Sequence, residues 1–180
     1  MRTYSWVCAV LVLTGAACGA STQAQRVREA RIEHIDQQTV AKTRVIEDRQ
    51  QARADTISRN HDLAKANLPK GQDNTATEQN LELSEDRALY ESKARGRIDT
   101  IGVHLEAARK KMGAENGRAP ADMRAKLEAL EAVKDRMDQE VRDLPSTPDA
   151  QWPYVKQGVD DRLSSLNERV KDLTQQIEGS

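Results

Sequence analysis

The residues in this chain whose types could do chemistry are three histidines, two cysteines and a few neighbouring carboxylates. His34, His61 and His104 lie far apart along polar helical sequence, and none has a His or Glu four residues away. A metal site needs two or more such ligands to converge, and this spacing does not supply them. Asp160-Asp161 and Glu128/Glu131 are adjacent carboxylates, but a charged helical surface produces such pairs by chance. There is no HExxH, CxxC, GxSxG or phosphate-binding glycine loop, and no Ser-His-Asp set follows from order or spacing. The expectation is a protein without catalytic residues, cofactor or metal, its histidines solvated on helix surfaces.

What would have to position any such group is helical. The chain has 180 residues, 32% of them charged and 3% aromatic, with no Phe. That composition suits one modest domain of long helices plus extended material, and no segment alternates as a strand does. The fold class expected is all-α. Net charge is −1 and the signs are mixed throughout, which gives no electrostatic footprint for nucleic acid.

Residues 1–17 read as an export signal. Arg2 is the basic flank, Val7–Leu13 the apolar run and Thr14–Ala17 a small-residue cleavage region. The apolar run is too short to span a bilayer comfortably as a helix. Cys8 falls inside this segment, so Cys18 is left as the mature cysteine and no internal disulfide can form.

Gly15-Ala16-Ala17-Cys18 resembles the lipobox of bacterial lipoproteins, with Gly15 where that family favours a large aliphatic residue. The resemblance covers the first 18 residues. It implies cleavage before Cys18, diacylation of its sulfur and anchoring through acyl chains. With Gly19 following, it also implies sorting to the outer membrane, facing the periplasm. Two or three chains hold a protein to a membrane where one is marginal. The alternative is an ordinary signal cut near Ala17 or Ala20, releasing a soluble protein.

After a lipid-anchored tether over 18–25, residues 26–67 contain neither Pro nor Gly and read as a long polar helix. Two thin series recur every eleven residues: Ile35, Ile46, Ile57, Leu68 and Ala30, Ala41, Ala52, Leu63. Eleven residues make three turns, the period of a nearly straight helix, and the two series stand about 130° apart. Arg31, Lys42 and Arg53 run between them. Three readings stay open for this segment: a solvated spacer, a helix packed on the rest, or a contact with an anionic lipid surface.

Residues 68–77, with Pro69 and Gly71, form a linker, and residues 78–180 a helical bundle. Thr75 or Thr77 can cap the next helix. Its stripe runs Leu83, Tyr90, Ala94, Ile98, Ile101, Leu105, Ala108, Met112, interrupted by Arg87. Gly96 and Gly102 lie inside it, and Gly102 neighbours the buried side, where another helix could approach closely. Gly113 with Asn116-Gly117 can end it.

Pro120 opens a helix with the stripe Met123, Leu127, Leu130, Val133 or Lys134, Met137, Val141, Leu144. Pro145 and Pro148 separate it from the last helix, expected from 148 to 178. Trp152, Val155, Val159, Leu163, Leu166, Val170, Leu173 and Ile177 fall there in steps of three and four. Short connections make neighbouring helices antiparallel. The architecture expected is a long N-terminal helix followed by an antiparallel three-helix bundle, or a four-helix one if the first helix joins it.

The run Trp152, Lys156, Val159, Asp160, Leu163 has a spacing that resembles one in uncharacterised exported helical-bundle proteins of bacteria. Together these features point to an envelope lipoprotein acting as a non-catalytic scaffold. Its expected partners are the membrane, through Cys18, and a protein or second copy through its helices. A periplasmic helical protein that handles lipid or unfolded clients is the alternative.

Overall fold

The computed structural model describes residues 16–70, 73–114 and 120–179, with side chains of the first helix from Gln23 onward. The expected signal segment up to Gly15, the Cys18 side chain and the Asn116-Gly117 terminator lie outside the described residues. Four helices account for the fold: α1 (Ala16–Ala66), α2 (Thr75–Ala114), α3 (Ala121–Asp143) and α4 (Trp152–Glu178). No strand occurs among the described residues.

The core of the bundle is the convergence of three apolar stripes. Ile98, Ile101 and Leu105 of α2, Val141 of α3, and Val159, Leu163, Leu166 and Val170 of α4 are its most enclosed side chains. Leu83, Met123, Val133 and Val155 cover its margins, half-buried. Lys111 and Glu178 meet near the C-terminal ends of α2 and α4, while Arg162 of α4 reaches Glu140 of α3. Helices α2 and α4 therefore run parallel, with α3 antiparallel between them in sequence. This is the up-down-up arrangement that the short connections require.

Helix ends differ in detail from the sequence reading. Just before α2 the Asp73 carboxylate accepts from the Thr75 amide and hydroxyl at 3.1 and 2.6 Å, so Thr75 is held by Asp73 rather than capping the helix itself. Those bonds favour the ionised carboxyl and hold it below the usual range. Between α3 and α4 the chain makes two 3₁₀ turns, Leu144–Ser146 and Asp149–Gln151, so α4 begins at Trp152 rather than 148. Pro145 and Pro148 cannot continue an α-helix but fit tight single turns.

Helix α1 departs most from expectation. It starts at Ala16, so the stretch 18–25 anticipated as a tether is part of the helix. It packs along α2 as the outer arm of an antiparallel hairpin. Asp36 meets Lys111, Lys42 meets Glu106, Ser58 and His61 meet Glu85, and Lys65 meets Glu82. The Ile35, Ile46, Ile57, Leu68 series lies on the half-buried seam, and Ala30, Ala41, Ala52 and Leu63 are exposed.

Two flanking lines with the same eleven-residue period complete the seam: Ile32, Thr43, Ala54 and Thr39, Gln50, His61. A straight helix lying against another must repeat its contacts every three turns, which is why the period is eleven rather than seven. The seam mixes isoleucine and alanine with Thr39, Thr43, Gln50 and His61, so α1 docks through a half-buried strip rather than through a fully enclosed core.

The face that α2 offers to α1 is built from small side chains. Ser92, Gly96 and Ala107 are buried there. Gly96 lies directly under Gln50: a Cβ built on it would stand 1.1 Å from the Gln50 Nε2. Gly102, by contrast, has nothing nearer than the Lys134 Cε at 3.6 Å. The close approach is thus at Gly96 and involves α1, not at Gly102 on the core side.

Candidate interaction surface

The residues considered for chemistry do not converge. Among the described residues no group of three or more His, Cys, Asp or Glu could hold a metal ion. Asp160 pairs with Arg97 at 2.8 Å and Glu131 with Arg109, while Glu128 and Asp161 are exposed. His34 shares a hydrogen bond with Gln38 on the open surface. His104 is half-buried, and burial, with Lys171 and Lys111 nearby, lowers its pKa. His61 is not solvated as expected: its side chain is 13% exposed and Nδ1 stands 3.0 Å from Glu85. The opposite ring nitrogen is buried with no hydrogen-bond partner.

Polar organisation is concentrated at two junctions. At the first, α4 is clasped to α2 around Trp152. The indole Nε1 donates to Asp86 at 2.8 Å, and its ring meets Tyr90 edge-on with centroids 5.5 Å apart. Lys156 donates to the same Asp86 and keeps that carboxyl ionised below the usual range, helped by the indole. The Tyr90 hydroxyl donates to the Lys156 carbonyl, and burial raises its pKa. Arg87, which broke the apolar stripe in the sequence, lies over the Trp152 ring at 5.2 Å and reaches Asp149. Each residue of the Trp152, Lys156, Val159, Asp160, Leu163 run thus has a structural task, either in the core or in binding α2.

At the second junction Lys111 joins three helices. Its ammonium lies 2.7 Å from both Asp36 of α1 and Glu178 of α4, and the side chain is 3% exposed. Burial opposes its charge, but the two carboxylates outweigh burial and raise its pKa. Lys111 stands in the last turn of α2, where a cation complements the helix dipole; its burial against α1 is not visible from the sequence, where the first helix has no assigned partner.

The flank of the α1–α2 hairpin carries a cleft of about 590 Å³. Its floor is Ala52, Ile57, Ala88 and Ser92, with Thr56 beside them, and Arg49, Arg53, Arg95 and Glu91 stand around it. Arg95 is paired with Glu91, whereas Arg49 and Arg53 carry no ion pair among the described residues. Ser92 is buried, and its hydroxyl has no hydrogen-bond partner. Sequence reasoning found the Ala52 line and Arg53 beside it but not the α2 half. The clue was the run of small residues on α2, Ala88, Ser92 and Gly96, one turn apart.

No helix of the described residues is long and apolar enough to cross a membrane. No family model, curated protein or solved structure matches the chain.

Proposed function

We propose that the protein is a membrane-anchored envelope lipoprotein, held by acyl chains on Cys18, that acts as a non-catalytic helical scaffold. The observation that carries this reading is the placement of Cys18 on α1. Eighteen residues separate it from Asp36, whose bond to Lys111 ties α1 to the ends of α2 and α4. That is about 27 Å of helix reaching past the bundle. An acyl group at that end would leave the bundle standing clear of the bilayer, its surfaces open to an envelope partner. The outer membrane, on its periplasmic side, is the expected location, given Gly19 after the cysteine.

Fractionation of cells expressing the wild type and Cys18→Ala tests the anchor. The wild type should sediment with membranes, with an intact mass that starts at Cys18 and carries acyl increments, and the variant should be soluble with equal helix content. A soluble wild type with an unmodified first residue refutes it.

A periplasmic lipid- or client-handling role is the second reading, supported by Val27, Val40, Val45 and Leu63, about half or more exposed on α1. It requires the protein to suppress aggregation of an unfolded client, and Leu63→Glu with Val45→Glu to abolish that effect.

A further inference from the structure

We propose that the cleft on the flank of the α1–α2 hairpin binds an anionic amphiphile, an aliphatic chain headed by a phosphate or carboxylate. Its volume, about 590 Å³, falls in the range of small-molecule sites. Ala52, Ile57 and Ala88 give its floor an apolar patch for a methylene chain, beside the hydroxyls of Ser92 and Thr56.

The head-group chemistry follows from the rim. Arg49 and Arg53 are one helical turn apart at the same opening, so their like charges repel, and neither makes an ion pair among the described residues. An anion between them removes that repulsion, and a guanidinium fork matches the paired oxygens of a phosphate or carboxylate. Glu91 at the same rim is committed to Arg95 and leaves the local balance positive.

Ser92 supplies an independent sign of a ligand. Its side chain is nine-tenths buried at the wall of the cleft, and its hydroxyl has no partner. Buried hydroxyls are nearly always hydrogen-bonded, and leaving one unpaired is costly. The Oγ is itself closed off from solvent, so a ligand oxygen in the cleft bonds it once the Ser92 side chain turns toward the opening. None of this depends on acylation of Cys18, so failure of the anchor and failure of this site are separate results.

The test is calorimetric titration of the full chain carrying Cys18→Ser, so that no acyl group of its own competes. The ligand is decyl phosphate, kept below its micellar concentration. Saturable one-to-one binding is expected, with inorganic phosphate and decanol each at least about tenfold weaker, because each offers half of the recognition. Arg49→Gln with Arg53→Gln should weaken binding at least about tenfold, and Ser92→Ala about three- to tenfold, at unchanged circular dichroism.

Phosphatidylglycerol vesicles identify the source of the ligand. Co-sedimentation that decyl phosphate competes away supports a bilayer lipid; decyl phosphate binding without co-sedimentation supports a soluble amphiphile. Absence of saturation, unchanged binding by the double arginine variant, or equal binding of decyltrimethylammonium overturns the proposal. Vesicle adhesion that survives both the competitor and the substitutions overturns it as well.

Discussion

Replacing Gly96 by Ala opposes two effects whose sizes can be set side by side. In an exposed helix interior the substitution gains about 1 kcal/mol, because alanine loses less backbone entropy than glycine. Here the new methyl would lie 1.1 Å from Nε2, 1.9 Å from Cδ and 2.5 Å from Cγ of Gln50. Because even Cγ is too close, rotating the terminal amide is not enough; the whole Gln50 side chain must leave, or α1 must lift from α2. Overpacking of this kind costs about 1–3 kcal/mol. Gly96→Ala alone should therefore lower the unfolding free energy, by up to about 2 kcal/mol after the propensity gain. In a Gln50→Ala background the obstruction is gone, and the same substitution should raise it by about 1 kcal/mol.

The assay is urea unfolding of the four proteins of this cycle, followed at 222 nm, with hydrogen exchange of the α1 amides as a second readout. The sign reversal between backgrounds is the diagnostic, with a coupling of about 1–3 kcal/mol. An equal effect of Gly96→Ala in both backgrounds would mean that Gln50 does not lie over Gly96. The docking of α1 in this register would then be wrong.

Lys111→Met should lower stability by about 1–3 kcal/mol, because it leaves two carboxylates facing each other where one cation joined them. Faster hydrogen exchange around Asp36 should accompany the loss, and unchanged exchange there would argue against the three-helix contact. Glu106, held between Lys110 and Lys42, has its pKa pushed down to about 2. A depressed carboxyl contributes stability that is full above its ordinary value near 4.3 and disappears as pH falls toward about 2. The contribution is a few tenths to about 1 kcal/mol at so exposed a site, so the thermal midpoint of the wild type should fall more steeply from pH 5 to 2 than that of Glu106→Gln. Parallel curves would contradict the ion pair with Lys42. Asp86→Ala should cost about 1–2 kcal/mol in chemical unfolding, since the indole of Trp152 and the ammonium of Lys156 both lose their acceptor. An unchanged midpoint would remove the clasp from the account of the fold.

The bundle was legible in the sequence because its stripes are large, apolar and regularly spaced. Leu163, Leu166, Val170, Leu173 and Ile177 could be assigned inward from spacing alone, and all are buried. The docking of α1 was not legible in the same way. Its seam interleaves Ile32, Ile35, Ile46, Ala54 and Ile57 with Thr39, Thr43, Gln50 and His61, so of its three eleven-residue lines only the isoleucine one is apolar throughout. The Ala30, Ala41, Ala52, Leu63 line looked equal to the isoleucine line in period, and only the partner surface separates them. That surface, Ser92, Gly96 and Ala107, is recognised by smallness rather than by hydrophobicity. Smallness acquires meaning only once a neighbour is placed there. The arginine-rimmed cleft was hidden for the same reason, since half of it belongs to each helix.

The eleven-residue period of α1 has a mechanical corollary. Whatever grips the leading end of this strut is separated from the rest by a rod whose length and azimuth are linked through the helical pitch. Excising eleven residues between Gln23 and Gln37 would shorten the stand-off by about 16 Å while leaving the bundle facing the same compass direction. Excising nine would shorten it nearly as much but swing the bundle by roughly half a turn. Reach and heading can thus be varied independently, and a partner docking at fixed height will respond differently from one docking at fixed orientation.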